Sequence, residues 1–112
     1  MTESTVRDEL VQLRGLRFYY REWPSLKPNA QTLVLLHGYT GHARSWDALA
    51  RVLQSRYRVL ALDQRGHGQT AWAPRDKYDT SEMVADLDAF VAALGLSSFA
   101  LLGLSMGGLV SI

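Results

Sequence analysis

Ser105 lies in the stretch GLSMGG, between glycines at positions 103 and 107. A serine hydroxyl is a poor nucleophile at neutral pH and attacks a carbonyl only when a base takes its proton. It must also project from the backbone into a cleft. A strand that turns abruptly into a helix achieves this, and the crowding of such a turn demands small residues two positions to either side. Gly103 and Gly107 hold those positions. The new helix then aims its free N–H groups and the positive end of its dipole at the same spot. The competing reading is a glycine-rich turn in which the serine only caps a helix.

Acyl transfer also requires two backbone N–H donors for the developing oxyanion. The residue after the nucleophile, Met106, is placed to give one. A loop at a neighbouring strand end must give the other. His37 and Gly38 directly follow the apolar run TLVLL, which places Tyr39 for that role. Gly38 lets the backbone approach closely. A third loop, DQRGHG, follows the run YRVLAL and carries Asp63 and Arg65. Ser105, His67 and Asp63 could be drawn as a catalytic triad, but the chain order known for this turn puts the acid and then the histidine after the serine. Neither an acid nor a histidine follows Ser105 here. His67 between glycines reads as a turn residue, His37 as structural, and His42 as exposed or capping. Three histidines at irregular spacing, without H-E-x-x-H, predict no metal, and no cofactor is expected. There is no G-x-G-x-x-G in the position a dinucleotide site needs, and no Walker lysine.

The elements that position these loops follow from hydrophobic pattern. Residues 9 to 23 read as two strands around Arg14-Gly15, and Pro24, Pro28 and Asn29 then mark a loop. Residues 32–36, 57–62 and 99–103 are short unbroken apolar runs, as expected of strands buried on both faces of a parallel sheet. Between them lie two helical patterns. In SWDALARVLQ, Ser45 is the expected N-cap and Trp46, Leu49, Val52 and Leu53 the expected apolar stripe. The second helix is predicted from Asp79 as cap, with Glu82 completing a variant of the capping box. Its stripe is Met83, Val84, Leu87, Phe90, Val91 and Leu94, and Gly95 ends it. A further helix is expected from Met106. Trp72 and Tyr78 read as loop anchors packed on the core rather than as pocket lining. Strands alternating with helices imply βαβ units, a mostly parallel sheet with an antiparallel N-terminal hairpin, and ligand sites beyond the carboxyl ends of the strands.

Composition bounds the partners. The 112 residues suit one domain, 1–112. Twelve basic against 11 acidic residues, net +1, predict no nucleic-acid or anionic-membrane footprint. Arg44, Arg51, Arg56 and Arg58 read as a solvated helix face. No cysteine is present, which removes disulfides and thiolate chemistry. The opening MTESTVRDEL does not read as a signal peptide, and the longest apolar stretch is too broken to span a membrane. The expectation is a soluble cytoplasmic protein with a small-molecule substrate.

Taken together and in this order, LLHGYTGHARSW, LALDQRGHGQT and GLSMGG resemble the α/β-hydrolase superfamily, and more narrowly its serine esterase, lactonase and cofactor-free haloperoxidase-like branch. The resemblance runs from about Gln31 onward and is weaker over the hairpin. It implies Ser105 as the nucleophile at the elbow, Tyr39 and Met106 as oxyanion donors, and His37, Gly38, Gly103, Gly107, Asp63 and Arg65 as residues that shape the site. Serine rather than aspartate at the elbow disfavours epoxide and haloalkane chemistry. The implied activity is hydrolysis of an ester, lactone or related carbonyl substrate through an acyl-enzyme. The alternatives are a non-catalytic relative that binds a ligand or partner, or a short product that pairs with a longer chain. The resemblance further implies an N-terminal part of the fold, truncated after the elbow, with the acid, the histidine and any cap lying downstream. The isolated chain is therefore expected to be inactive.

Overall fold

The computed structural model describes residues 6–38, 41–104 and 107. Arg14 and Gly15 both have positive φ, 50° and 83°, the requirement of a two-residue type I′ hairpin turn. This turn joins β1 (Arg7–Leu13) to β2 (Leu16–Trp23), with Leu13 paired to Leu16 across it. The hairpin starts two residues earlier than the apolar pattern suggests. β3 (Gln31–Leu36), β4 (Tyr57–Leu62) and β5 (Phe99–Gly103) complete one five-stranded sheet in the order β1-β2-β4-β3-β5. β3 pairs in parallel with both β4 and β5, while β2 meets β4 antiparallel. The mixed sheet expected from the chain order is therefore present.

A strand buried on both faces needs a layer on each side, and the alternation of its side chains divides the core in two. Val34 and Leu36 of β3 and Leu60 and Leu62 of β4 join Phe18 under helix α2 (Thr80–Ala93), against Met83, Leu87 and Phe90. Leu33, Leu35, Val59 and Ala61 face the other way and pack with Tyr19, Trp23, Ala43 and Ala50. Ala43 opens a 3-10 turn (Ala43–Trp46) that runs into helix α1 (Asp47–Leu53), which carries Ala50.

Helix α2 follows its signals closely. The Asp79 carboxylate accepts the Glu82 N–H at 3.2 Å. At its far end Gly95 takes φ +67°, and the N–H groups of Gly95 and Leu96 bond the carbonyls of Ala92 and Val91, a Schellman motif. Val84, expected in the stripe, faces solvent, and Asp86 is buried instead. The face of α1 differs more. Its buried residue is Ala50, while Leu49 and Val52 point outward. Trp46 and Leu53, also expected in the stripe, do pack partly buried against the cluster to which the sheet contributes Tyr19 and Trp23. Ser45 does not cap α1. It lies inside the 3-10 turn, where its Oγ accepts the His42 N–H at 3.2 Å.

Two further expectations are corrected. Trp72 is 80% exposed and anchors nothing, whereas the Tyr78 hydroxyl accepts the Ala73 N–H at 2.7 Å and its ring packs on the α2 side of the core. The arginine run is not a purely solvated face. Arg58 pairs with Glu22 at 2.8 Å, Arg44 with Asp8 at 3.6 Å, and Arg51 lies 5.5 Å from the Trp23 ring. Among the described residues no helix is long and apolar enough to cross a membrane.

Candidate active site

Register brings the three loops together. Leu36, the last residue of β3, is paired with Leu62 on one side and with Gly103 on the other. His37, Asp63 and Leu104 therefore leave three adjacent parallel strands at the same level, the carboxyl ends where α/β sheets build sites. Ser105, Met106 and Tyr39 lie outside the described residues. What flanks them is described. The Leu104 N–H bonds the Leu36 carbonyl at 3.1 Å, continuing the sheet past β5. The Gly107 N–H returns to the Leu104 carbonyl at 2.9 Å, which ties together the two flanks of the serine.

Gly107 is buried, and its α-carbon rests on the end of β3. A β-carbon there would collide with the carbonyl oxygen of Leu36 and come within 2.9 Å of that of His37. These neighbours are backbone and cannot swing aside, so the position admits glycine alone without rebuilding the strand end.

His37 is 1% exposed. Its Nε2 accepts the backbone N–H of Gln64 at 2.9 Å, so the ring is neutral and carries its proton on Nδ1. Nδ1–H then donates to the Gly38 carbonyl at 2.8 Å. Burial lowers the His37 pKa below its ordinary value, and the neighbouring His67 and His42 act in the same direction against the Gly38 carbonyl and Asp63. The His67 ring lies 4.9 Å away, centroid to centroid. With both nitrogens committed to backbone partners, His37 is a strut between the β3 and β4 loops.

Asp63 is likewise committed. One carboxylate oxygen accepts the Ala43 N–H at 2.5 Å and the other the Gln69 N–H at 2.8 Å. It thereby fastens the start of the 3-10 turn to residues 68–70. Gly68, at φ +53°, passes so close to this carboxylate that a side chain there would strike it. Thr70 completes the loop, donating to the Asp63 carbonyl at 2.6 Å and accepting the Tyr19 N–H at 2.9 Å. Both Asp63 oxygens are thus spent on backbone amides, and His67 points Nδ1 at the Arg65 carbonyl at 3.0 Å.

Arg65 turns away from the row of strand ends. It forms a two-pronged pair with Asp86 of α2, Nε to Oδ2 at 2.7 Å and Nη2 to Oδ1 at 2.8 Å, and donates to the Lys77 carbonyl at 2.7 Å. Arg14 reaches the same Asp86 carboxylate at 3.0 Å from the hairpin turn. Asp86 and Gln64 were not singled out in the sequence. Asp86 did leave a signal, an acid three residues from Met83 and four from Phe90 inside an apolar stripe. Gln64 left none. Among the described residues no group of three or more His, Asp or Glu side chains could hold a metal ion.

The strand order, the three loops at one level and the buried glycine after β5 describe a known arrangement. The sequence profile of the alpha/beta hydrolase fold family matches residues 31–112. The chain belongs to the alpha/beta hydrolase family. It is 36% identical over 102 residues to N-formylmaleamate deformylase of Pseudomonas putida, covering 91% of this chain and 37% of that protein. It is 35% identical over 98 residues to epoxide hydrolase 4 of Mus musculus, covering 87% of this chain and 27% of that one. A crystal structure of an alpha/beta hydrolase from Novosphingobium aromaticivorans superposes with a TM-score of 0.83 at 31% identity, covering 99% of this chain and 39% of that one. The 112 residues thus span about a third of the length of these relatives.

Proposed function

We propose that the protein containing this chain is a serine hydrolase of esters, lactones or related small carbonyl substrates. One observation carries the reading: a parallel strand, β5, is followed within four residues by a buried glycine packed on the neighbouring strand end, with Ser105 between them. In this reading the Ser105 hydroxyl attacks the carbonyl carbon. A base outside these 112 residues takes its proton. The backbone N–H groups of Tyr39 and Met106 hold the oxyanion. The bond to the leaving oxygen breaks, and that oxygen receives the proton from the base. Water, deprotonated by the same base, then attacks the acyl carbon, releasing the acid and restoring the Ser105 hydroxyl.

The relatives named above include a deformylase and an epoxide hydrolase. Serine at position 105 favours the carbonyl reaction, because opening an epoxide through a covalent ester calls for a carboxylate nucleophile. The experiment is turnover of a panel of short-chain aryl esters and lactones by the whole protein. Hydrolysis that falls at least about a thousandfold in Ser105→Ala is expected. A Ser105→Ala variant with undiminished turnover would sink the reading.

A further inference from the structure

The His37 strut is held by one residue at two points. The Gln64 backbone N–H donates to His37 Nε2 at 2.9 Å, and the Gln64 side-chain Nε2 donates to the His37 carbonyl at 2.9 Å. That carbonyl is one of the atoms on which Gly107 rests. Gln64 is itself buried and stands next to Asp63, whose N–H is bonded to the Tyr19 carbonyl of β2 at 3.0 Å and whose carboxylate holds two loop amides. The clamp is therefore anchored in the sheet and reaches across to the peptide after β3. From that peptide the chain proceeds to Gly38 and residue 39, and against it sits the residue that closes the turn after β5.

We infer that Gln64 is a positioning residue for oxyanion binding: by fixing the His37 peptide it sets where the backbone leaving β3 stands relative to the turn that carries Ser105. Rotation of that peptide would shift the backbone leaving β3 against Gly107, which is seated on its carbonyl. The side-chain amide is the part that matters, because the Gln64 backbone donor survives any substitution except proline. The inference rests on the serine-hydrolase reading above.

The test is Gln64→Leu in the whole protein, which removes the amide donor at nearly constant volume. Oxyanion donors act on the transition state rather than on bound substrate. A displacement of about an ångström costs up to about 100-fold. The expected result is kcat lower by about 10–100-fold with KM within about twofold of wild type. Phe90→Leu, a core change under α2, supplies a variant of lowered stability that keeps its kcat. Unchanged kcat in Gln64→Leu overturns the inference, as does a loss confined to KM or an equal kcat loss in Phe90→Leu at the same thermal midpoint. Gln64→Met is read in the same way if the leucine variant does not fold. If neither folds, hydrogen exchange of the Gln64 side-chain amide in the wild type decides. Slow exchange supports the clamp and solvent-like exchange overturns it. Ser105→Ala separates the two claims. Turnover retained in Ser105→Ala removes both, whereas turnover lost there but intact in Gln64→Leu removes only the role of Gln64.

Discussion

Arg65 and Asp86 form a two-pronged ion pair, at 2.7 and 2.8 Å, with side chains only 4% and 3% exposed. The pair joins the loop after β4 to the middle of α2. Removing one partner strands the other charge in a desolvated site, which typically costs about 3–5 kcal/mol. Asp86→Ala should therefore lower unfolding stability by about 3 kcal/mol, since Arg65 keeps the Lys77 carbonyl and a longer contact to Glu82 at 3.7 Å. The double variant Arg65→Met/Asp86→Leu should lose much less than the sum of its singles. Denaturant titration of the four proteins checks this, and strict additivity would show that the two charges do not depend on each other.

Gly107→Ala should be destabilising by about 2–3 kcal/mol, because the added methyl meets backbone oxygens of β3 rather than a movable side chain. Gly95→Ala meets no atom within 4 Å and carries only the strain of its positive φ, so it should cost less. Thermal unfolding of the two variants compares close approach with backbone strain directly. A Gly107→Ala protein as stable as Gly95→Ala would mean that the turn after β5 does not rest on β3.

Asp63→Asn exchanges one acceptor oxygen for an NH2 group that faces a backbone N–H of Ala43 or Gln69. A buried donor left without an acceptor costs about 1–3 kcal/mol, and that is the loss expected here. Hydrogen exchange should accelerate most at whichever of the Ala43 and Gln69 amides faces the new NH2 group. Unchanged exchange at both amides would contradict the shared-carboxylate arrangement.

His37 makes stability depend on pH in a stated direction. Its pKa is lowered in the folded protein from the ordinary value of 6.5, so the unfolded chain takes up the proton first on acidification. Stability from this group is whole above about pH 6.5 and falls as the pH drops through the lower folded value. Protonation at Nε2 would also set a new N–H against the Gln64 N–H. His37→Asn should flatten the acid limb of a plot of stability against pH below about 6.5. An unchanged acid limb in that variant would place the titration elsewhere.

The legibility of this chain follows burial. TLVLL and YRVLAL could be read as strands because a parallel strand covered on both faces has no polar side to confuse the pattern. FALLG has the same apolar run but is only half-buried, with Leu102 40% exposed, so its expected burial on both faces is not met among the described residues. Helix α2 was legible from Asp79 to Gly95 because its caps and its stripe agree. The stripe of helix α1 was half legible: Trp46 and Leu53 pack on the sheet as expected, but Ala50, not Leu49 or Val52, is the buried residue of the helix. Alanine carries almost no signal in a pattern that also offers Leu49 and Val52. Near the site, glycines could be read because turns and close approaches demand them. The hydrogen-bond roles of His37, Asp63, Gln64 and Asp86 were not legible, since they depend on partners as far as 72 residues away that only the assembled sheet and helix α2 bring together. Ser105, Tyr39 and Met106 rest on motif and on the geometry of their neighbours.

The most direct measurement is the mass of a trapped intermediate. The whole protein is mixed with an activated aryl ester, quenched in acid within the first turnover, and mapped by peptide mass spectrometry. One acyl group on the peptide carrying Ser105, absent from Ser105→Ala, is the predicted result. Rapid turnover with no acyl adduct at Ser105, or with the adduct on another residue, would contradict the assignment of Ser105 as the nucleophile.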